Sequence, residues 1–277
     1  MKIGIIGAGH VGTTLAIVFA KHNYPVFIAS KSEMSAKKAS EISHTKFCNI
    51  ESVAKDAEFI FLTVTDGEII NAAKRIAPFL DKEQYIAHTS GALPSSIIDF
   101  LPGKVLSIHP LKAFADPLTS AETIKGTLFI TEGNVEAFSI AKELIETIGG
   151  KFVSIKTEDK PLYHLSAVII SNFTDTLFNI GEKILNSIGF SGEESKKALL
   201  NLIKGVIYNI ETVGSEDALT GPFIRGDIGI ITLHLNTIKD PLLKSIYKNL
   251  GLATLIIADK RGLEKEKIKE IRKVLNR

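Results

Sequence analysis

The chain opens with an apolar run, residues 3–6, that passes directly into Gly7-Ala8-Gly9-His10-Val11-Gly12 and then into a helical pattern over residues 10–22. No other feature constrains the fold as strongly. A buried strand leading through G-x-G-x-x-G into an amphipathic helix is the first half of a βαβ unit. Gly7 permits a tight turn, Gly9 lets the backbone approach a pyrophosphate, and Gly12 lets the helix close on the strand. Free N–H groups at the helix start then face the phosphate charge. Gly7, Ala8, Gly9, His10, Val11 and Gly12 are therefore expected to hold a dinucleotide.

The rhythm continues through the first half. Strand patterns occur at 2–6, 26–29, 59–64, 85–88, 105–108, 127–130 and 151–154, with helical patterns at 10–22, 34–43, 67–77 and 135–148. Strands alternating with helices of ten or so residues give a parallel, doubly wound sheet. The strands are apolar on both faces, as a sheet covered on both sides requires. After about residue 156 only helical patterns remain, at 162–188, 193–213, 229–237, 241–258 and 264–276. The expected division is a nucleotide-binding domain over 1–155 and an all-helical domain over 156–277.

In such sheets ligands bind outside the carboxyl ends of the strands. The second strand ends in Ser30-Lys31-Ser32, with no carboxylate before Glu33. A site for NAD usually places Asp or Glu there, on the ribose 2′-hydroxyl. Two hydroxyls and a cation suit a 2′-phosphate instead, so NADP is expected over NAD. The next strand ends carry Thr65 and Asp66, then Ser90 and Gly91, all candidates to flank ribose and nicotinamide. Asp66 can equally cap a helix, and Ser90 can close a turn. His109, before Pro110, also sits at a strand end, where it can exchange protons or fix the loop.

The helical half contributes a polar stripe. On one continuous helix over 162–188, His164, Val168, Ser171, Asn172 and Asp175 share a face. Buried polar groups need partners, so that face is expected to line a cleft. A second cluster is Leu219-Thr220-Gly221-Pro222-Phe223-Ile224-Arg225-Gly226-Asp227. Arg225 can hold a substrate carboxylate bidentately, or pair with Asp227. Asp227 is placed to cap the helix that carries His234.

Charge and composition exclude other classes. Lys and Arg number 33 against 31 acidic residues, a net charge of +2, which is no footprint for nucleic acid. No segment reaches the length of a membrane span, and the short first apolar run is no signal peptide, so a cytoplasmic location is expected. Cys48 is the only cysteine and reads as an inert thiol. The seven histidines show no close pair and no H-E-x-x-H, so no metal site is expected.

The glycine turn, His109-Pro110-Leu111, Leu162-Tyr163-His164 with Ala167-Val168 and Ser171-Asn172, Leu219-Thr220-Gly221-Pro222 with Arg225-Gly226-Asp227, His234-Leu235, and Leu243 through Tyr247 form a pattern over essentially the whole chain. In it the chain resembles bacterial and archaeal proteins joining a Rossmann-like domain to the domain of unknown function 2520. The resemblance implies an NADP-linked oxidoreductase similar to ketopantoate reductase, pyrroline-5-carboxylate reductase, prephenate dehydrogenase and 3-hydroxyisobutyrate dehydrogenase. It also implies a helical domain of the 6-phosphogluconate dehydrogenase C-terminal-like type, which contacts a small-molecule substrate and forms a homodimer. Hydroxyacid dehydrogenases of this kind carry a lysine four residues before an asparagine. Here Val168 stands four before Asn172, and His164, one turn earlier, is the candidate acid/base in its place. Asn172 and Ser171 would orient the substrate, Arg225 would bind its anionic group, and Asp227 would hold Arg225 or His234. The missing lysine leaves open a non-catalytic dinucleotide-binding or redox-sensing module.

Overall fold

The computed structural model describes all residues, 1–277. Its elements in chain order are β1 (Ile3–Ile6), α1 (His10–Lys21), β2 (Val26–Ala29), α2 (Glu33–Ser43), β3 (Lys46–Phe47), α3 (Ile50–Asp56), β4 (Phe59–Leu62), α4 (Ile69–Ile76), β5 (Tyr85–His88), β6 (Lys104–Pro110), α5 (Pro117–Glu122), β7 (Leu128–Gly133), α6 (Phe138–Thr147) and β8 (Lys151–Ser154). Only helices follow: α7 (Lys160–Ile170), α8 (Asn172–Ser187), α9 (Gly192–Asp217), α10 (Pro222–Arg225), α11 (Ile228–Thr237), α12 (Pro241–Lys260) and α13 (Lys265–Leu275).

All eight strands form one sheet in the order β3-β2-β1-β4-β5-β6-β7-β8. The first six are parallel, so the ends of β1, β2, β4, β5 and β6 open on one edge. The sheet is parallel, as expected, except at β7, which pairs antiparallel with β6, Leu106 opposite Gly133. The link from β6 to β7 carries only α5, which packs on α1, and the chain returns along β6 instead of crossing the sheet.

Alternation along each strand supplies two cores. Ile3, Ile5, Ile28, Phe59, Phe61, Ala87, Leu106 and Ile108 face α1 and α6. Ile6, Ala29, Ile60, Leu62, Ile86 and Val105 face α3 and α4. Both faces are dry, which is why the strands read as continuous apolar runs.

Two compact units emerge, Met1–Asp175 and Thr176–Arg277. The first includes α7, although the rhythm of the sequence changes before it. A further difference concerns the helix expected over 162–188. It is broken at Ser171 (φ −89°, ψ −69°) into α7 and α8. The apolar periodicity runs on across the break, so nothing in the pattern marks it. The second unit has its own core of Ile231, Leu235, Leu255, Ile268, Ile271 and Leu275, from α11, α12 and α13. Within it α8 and α9 are tied where the Ser195 hydroxyl donates to Asn186 Oδ1 at 2.6 Å.

Candidate functional site

The glycine turn is closed by its neighbours. Gly7 lies at φ +123°, and a Cβ there would come 2.5 Å from the Thr63 carbonyl oxygen. The Thr63 hydroxyl donates to the Gly7 carbonyl at 2.8 Å, a clamp from the end of β4 that the sequence did not signal. A Cβ at Gly12 would collide with the Gly7 carbonyl. At Gly9 a Cβ would meet nothing within 4 Å, so this side of the turn is open. Gly9 is the N-cap of α1 with no side-chain cap, and no acidic residue stands in the first turn. Unsatisfied N–H donors and the positive end of the helix face that opening, which fits a pyrophosphate. His10 turns its ring aside, Nδ1 lying 3.0 Å from the Phe114 carbonyl.

At the end of β2, Ser32 caps α2, its oxygen accepting from Ser35 N–H, while its own proton remains available to donate. Ser30 is half-buried and Lys31 is 87% exposed, its ammonium 4.0 Å from Glu68. An exposed pair that long is weak and yields readily to a phosphate. Thr65 and Asp66 are exposed after β4, and Asp66 caps no helix. Ser90 is 5% exposed, and its hydroxyl oxygen accepts from Ala92 and Leu93 N–H. Its side chain thus fastens the turn after β5, the plainer of its two expected roles. Val11 is half-buried and Ala8 packs on the first core.

Beyond this edge lies a cluster of aromatic rings. His109 is the last residue but one of β6, and its Nδ1 is 2.7 Å from the Tyr163 hydroxyl on α7. His109 and His164 meet edge to face with centroids 6.1 Å apart. Gly91 sits between them: a Cβ there would lie 3.0 Å from His109 Nε2 and strike the His164 ring. Burial, and then the neighbouring Lys160 ammonium, push His109 down to about 4, so it is neutral at physiological pH. Burial raises the Tyr163 phenol to about 12, so it keeps its proton. His164 is half-buried and donates or accepts no hydrogen bond within the chain, leaving both nitrogens available.

Behind the rings His88 is fully buried, its Nε2 3.1 Å from the Pro94 carbonyl and its Nδ1 accepting from Ser90 N–H. Burial holds it down to about 4 as well. Lys160, 1% exposed, donates to the Ser90 carbonyl at 2.8 Å and to the Ser107 hydroxyl at 2.5 Å. Glu132, also buried, accepts from Ser95 N–H, the Ser95 hydroxyl and the Thr157 hydroxyl.

A cleft of about 460 Å3 opens in front of this cluster. His109, Lys112, His164, Val168, Ser171 and Asn172 are among its lining residues. Four of the five stripe positions are thus brought together in spite of the broken helix, while Asp175 is exposed and outside the lining. Lys112 is the cation of this lining, and sequence reasoning passed over it.

The remaining candidates belong to the second unit. Asp227 caps α11, Oδ1 accepting from Ile230 N–H at 3.1 Å. It forms no ion pair with Arg225 or His234. The partner of His234 is Tyr247, whose hydroxyl lies 2.9 Å from Nδ1. Arg225 is exposed and forms no ion pair. Cys48 is half-buried, and burial raises its thiol. No group of three potential ligands for a metal occurs, and no helix is long and apolar enough to cross a membrane.

The sequence matches the family model of a Rossmann-like domain over residues 1–110 and that of the domain of unknown function 2520 over residues 127–254. The fold is similar to a protein of Thermotoga maritima, 28% identical, with a TM-score of 0.73 over 94% of this chain and 99% of that one. It is also similar to a Bacteroides fragilis protein named a candidate NADP oxidoreductase, 22% identical, with a TM-score of 0.79 over 92% and 98%. The pyrroline-5-carboxylate reductase of Staphylococcus haemolyticus is 22% identical over 90% of this chain and 93% of its own length.

Proposed function

We propose that this chain, a Rossmann-like domain joined to the domain of unknown function 2520, is an NADP-dependent oxidoreductase. Its reaction is hydride transfer between the nicotinamide and a small anionic carbonyl, imine or alcohol. The observation that carries this reading is the meeting of His109 and His164 across Gly91, on the strand edge that also bears a glycine turn open to a pyrophosphate.

When bound, the nicotinamide supplies or takes the hydride. The chain does the rest. The N–H groups of α1 hold the pyrophosphate, and Ser30, Lys31 and Ser32 take a 2′-phosphate, since none of these three residues after β2 is a carboxylate that would bind a 2′-hydroxyl. The name of the Bacteroides relative supports the same cofactor. His164, uncommitted and lining the cleft, exchanges the proton that balances the hydride at the substrate oxygen or nitrogen. Ser171 and Asn172 orient the substrate. Lys112, in the same lining, takes its anionic group. A homodimer forms through α8 and α9, whose apolar residues are exposed.

Calorimetric titration with NADPH and NADH tests the cofactor: NADPH binds at least about tenfold more tightly, a difference of roughly 1.4 kcal/mol. Turnover is sought by following nicotinamide absorbance against small oxo acids, with and without ammonia. Once a substrate is found, His164→Ala lowers kcat by about 10²-fold or more. If H164A and N172A both keep wild-type turnover, the assignment of the acid/base is wrong. Tight NADPH binding with no turnover on any substrate class would favour the sensing module.

A further inference from the structure

Lys160 is the only lysine among the buried residues, and it forms no ion pair. Burying an ammonium against neutral partners is costly, and a residue that only filled space would be apolar. Its placement is specific. Lys160, Tyr163 and His164 are spaced i, i+3, i+4 and share one face of α7. Ser107 and His109 are spaced i, i+2 and share one face of β6. The two faces meet rung by rung, Lys160 on Ser107 and Tyr163 on His109. The same ammonium holds the Ser90 carbonyl, and so fixes the turn that presents Gly91 to both imidazoles.

We propose that Lys160 is a positioning residue for the His109–His164 site. It ties the turn after β5 to β6, and it keeps a fixed positive charge beside His109, so that His109 meets a substrate as a neutral imidazole donating from Nε2. Proton delivery is then left to His164. The substrate role rests on the oxidoreductase reading above; the state of His109 does not.

The tautomer belongs to the proposal. We assign the Tyr163 hydroxyl as the donor to His109 Nδ1, its one acceptor in the chain, which puts the imidazole proton on Nε2; the reverse arrangement has the same 2.7 Å separation and is an outcome of the test below. The charged and titratable groups around His109 come from three directions. Lys160 and His164 on α7 oppose a second proton, Asp66 after β4 favours one, and burial outweighs Asp66. Lys160 is itself drawn down to about 8 by burial, against the pull of Glu132 and Asp66, and stays largely charged at neutral pH. His88, on β5, feels the same ammonium and is held neutral with it. A neutral imidazole can polarise a carbonyl without competing with the true acid for the proton.

Nitrogen-edited NMR of the histidine rings in the free protein tests this directly. Wild-type His109 is expected neutral at pH 7 with its proton on Nε2. In Lys160→Gln, which removes the charge and keeps a donor, His109 takes its second proton at higher pH, and the acid limb of kcat/KM moves up with it. Tyr163→Phe releases the tautomer preference. A purely structural Lys160 would leave the His109 titration of K160Q unmoved, and that result overturns the proposal. So does a wild-type His109 that is protonated at pH 7 or carries its proton on Nδ1, which needs no variant to fold. NADPH titration of the same samples keeps the two readings apart. Failure to bind cofactor sinks the oxidoreductase reading alone, whereas an unmoved His109 sinks only this one.

Discussion

Gly91 has a hydrogen where any other residue would place a carbon between two imidazoles. Gly91→Ala must push His109 and His164 apart or tilt them. Displacements of about 1 Å at reacting groups cost on the order of 10²-fold in rate. The expected outcome is a kcat lowered by about that factor with NADPH affinity held, because the glycine turn of α1 is untouched. Loss of NADPH binding in G91A would show that the turn after β5 serves the cofactor instead. His88 gives a second residue-scale prediction. Its folded value of about 4 lies below the ordinary 6.5. Between those values the unfolded chain binds the extra proton, so stability is full above pH 6.5 and is lost as pH falls toward 4. The shift corresponds to at most about 3 kcal/mol. Chemical denaturation at pH 7 and pH 5 is expected to show the fall, and His88→Gln to remove about half of it, since His109 is lowered alike. The sequence made His109, His164, Ser171 and Asn172 legible, through strand ends and helical spacing. It hid Lys160, Thr63 and Lys112, because a buried lysine, a threonine clamp and a cleft-lining cation look like ordinary residues until tertiary packing places them.

At the scale of elements, apolar strands and the longer helices were legible because two-sided burial and a sustained period leave a strong pattern. The two-residue β3 and the short α3, α5 and α10 escaped, being too brief to show a period. The break at Ser171 escaped for the opposite reason, since the apolar pattern of α7 runs on into α8. Capping is the local device that can be tested alone. Ser191 closes a full capping box on α9: its oxygen accepts from Glu194 N–H, and the Glu194 carboxylate accepts from Ser191 N–H and hydroxyl. These bonds hold the Glu194 carboxyl below its usual range. Ser191→Ala is expected to cost about 1 kcal/mol. Denaturant unfolding followed by circular dichroism would read it, and an unchanged midpoint would mean that α9 is held by packing alone.

The whole molecule contrasts a sheet buried on both faces with two long helices that bury almost nothing. Within its own chain α8 buries no residue, and α9 buries only Ser195. Yet Leu177, Ile184 and Ile188 on or next to α8, and Leu202, Val206, Ile207, Tyr208 and Val213 on α9, are each more than 40% exposed. An amphipathic helix gains its stability by burying its apolar stripe, and an exposed patch of this extent marks an interaction surface. A second copy is the economical cover, because a two-fold axis sets the same pair of helices against itself. Light scattering coupled to size-exclusion chromatography is therefore expected to give twice the chain mass of 30.1 kDa. Ile207→Glu should shift that mass to the monomer or lower the helix content, since a carboxylate in a desolvated interface lacks a partner. A wild-type monomer with α8 and α9 fully helical at micromolar concentration would refute the dimer. It would also leave the stripe to a different partner, while the cofactor edge and the histidine cluster, both built within residues 1–175, would stand unchanged.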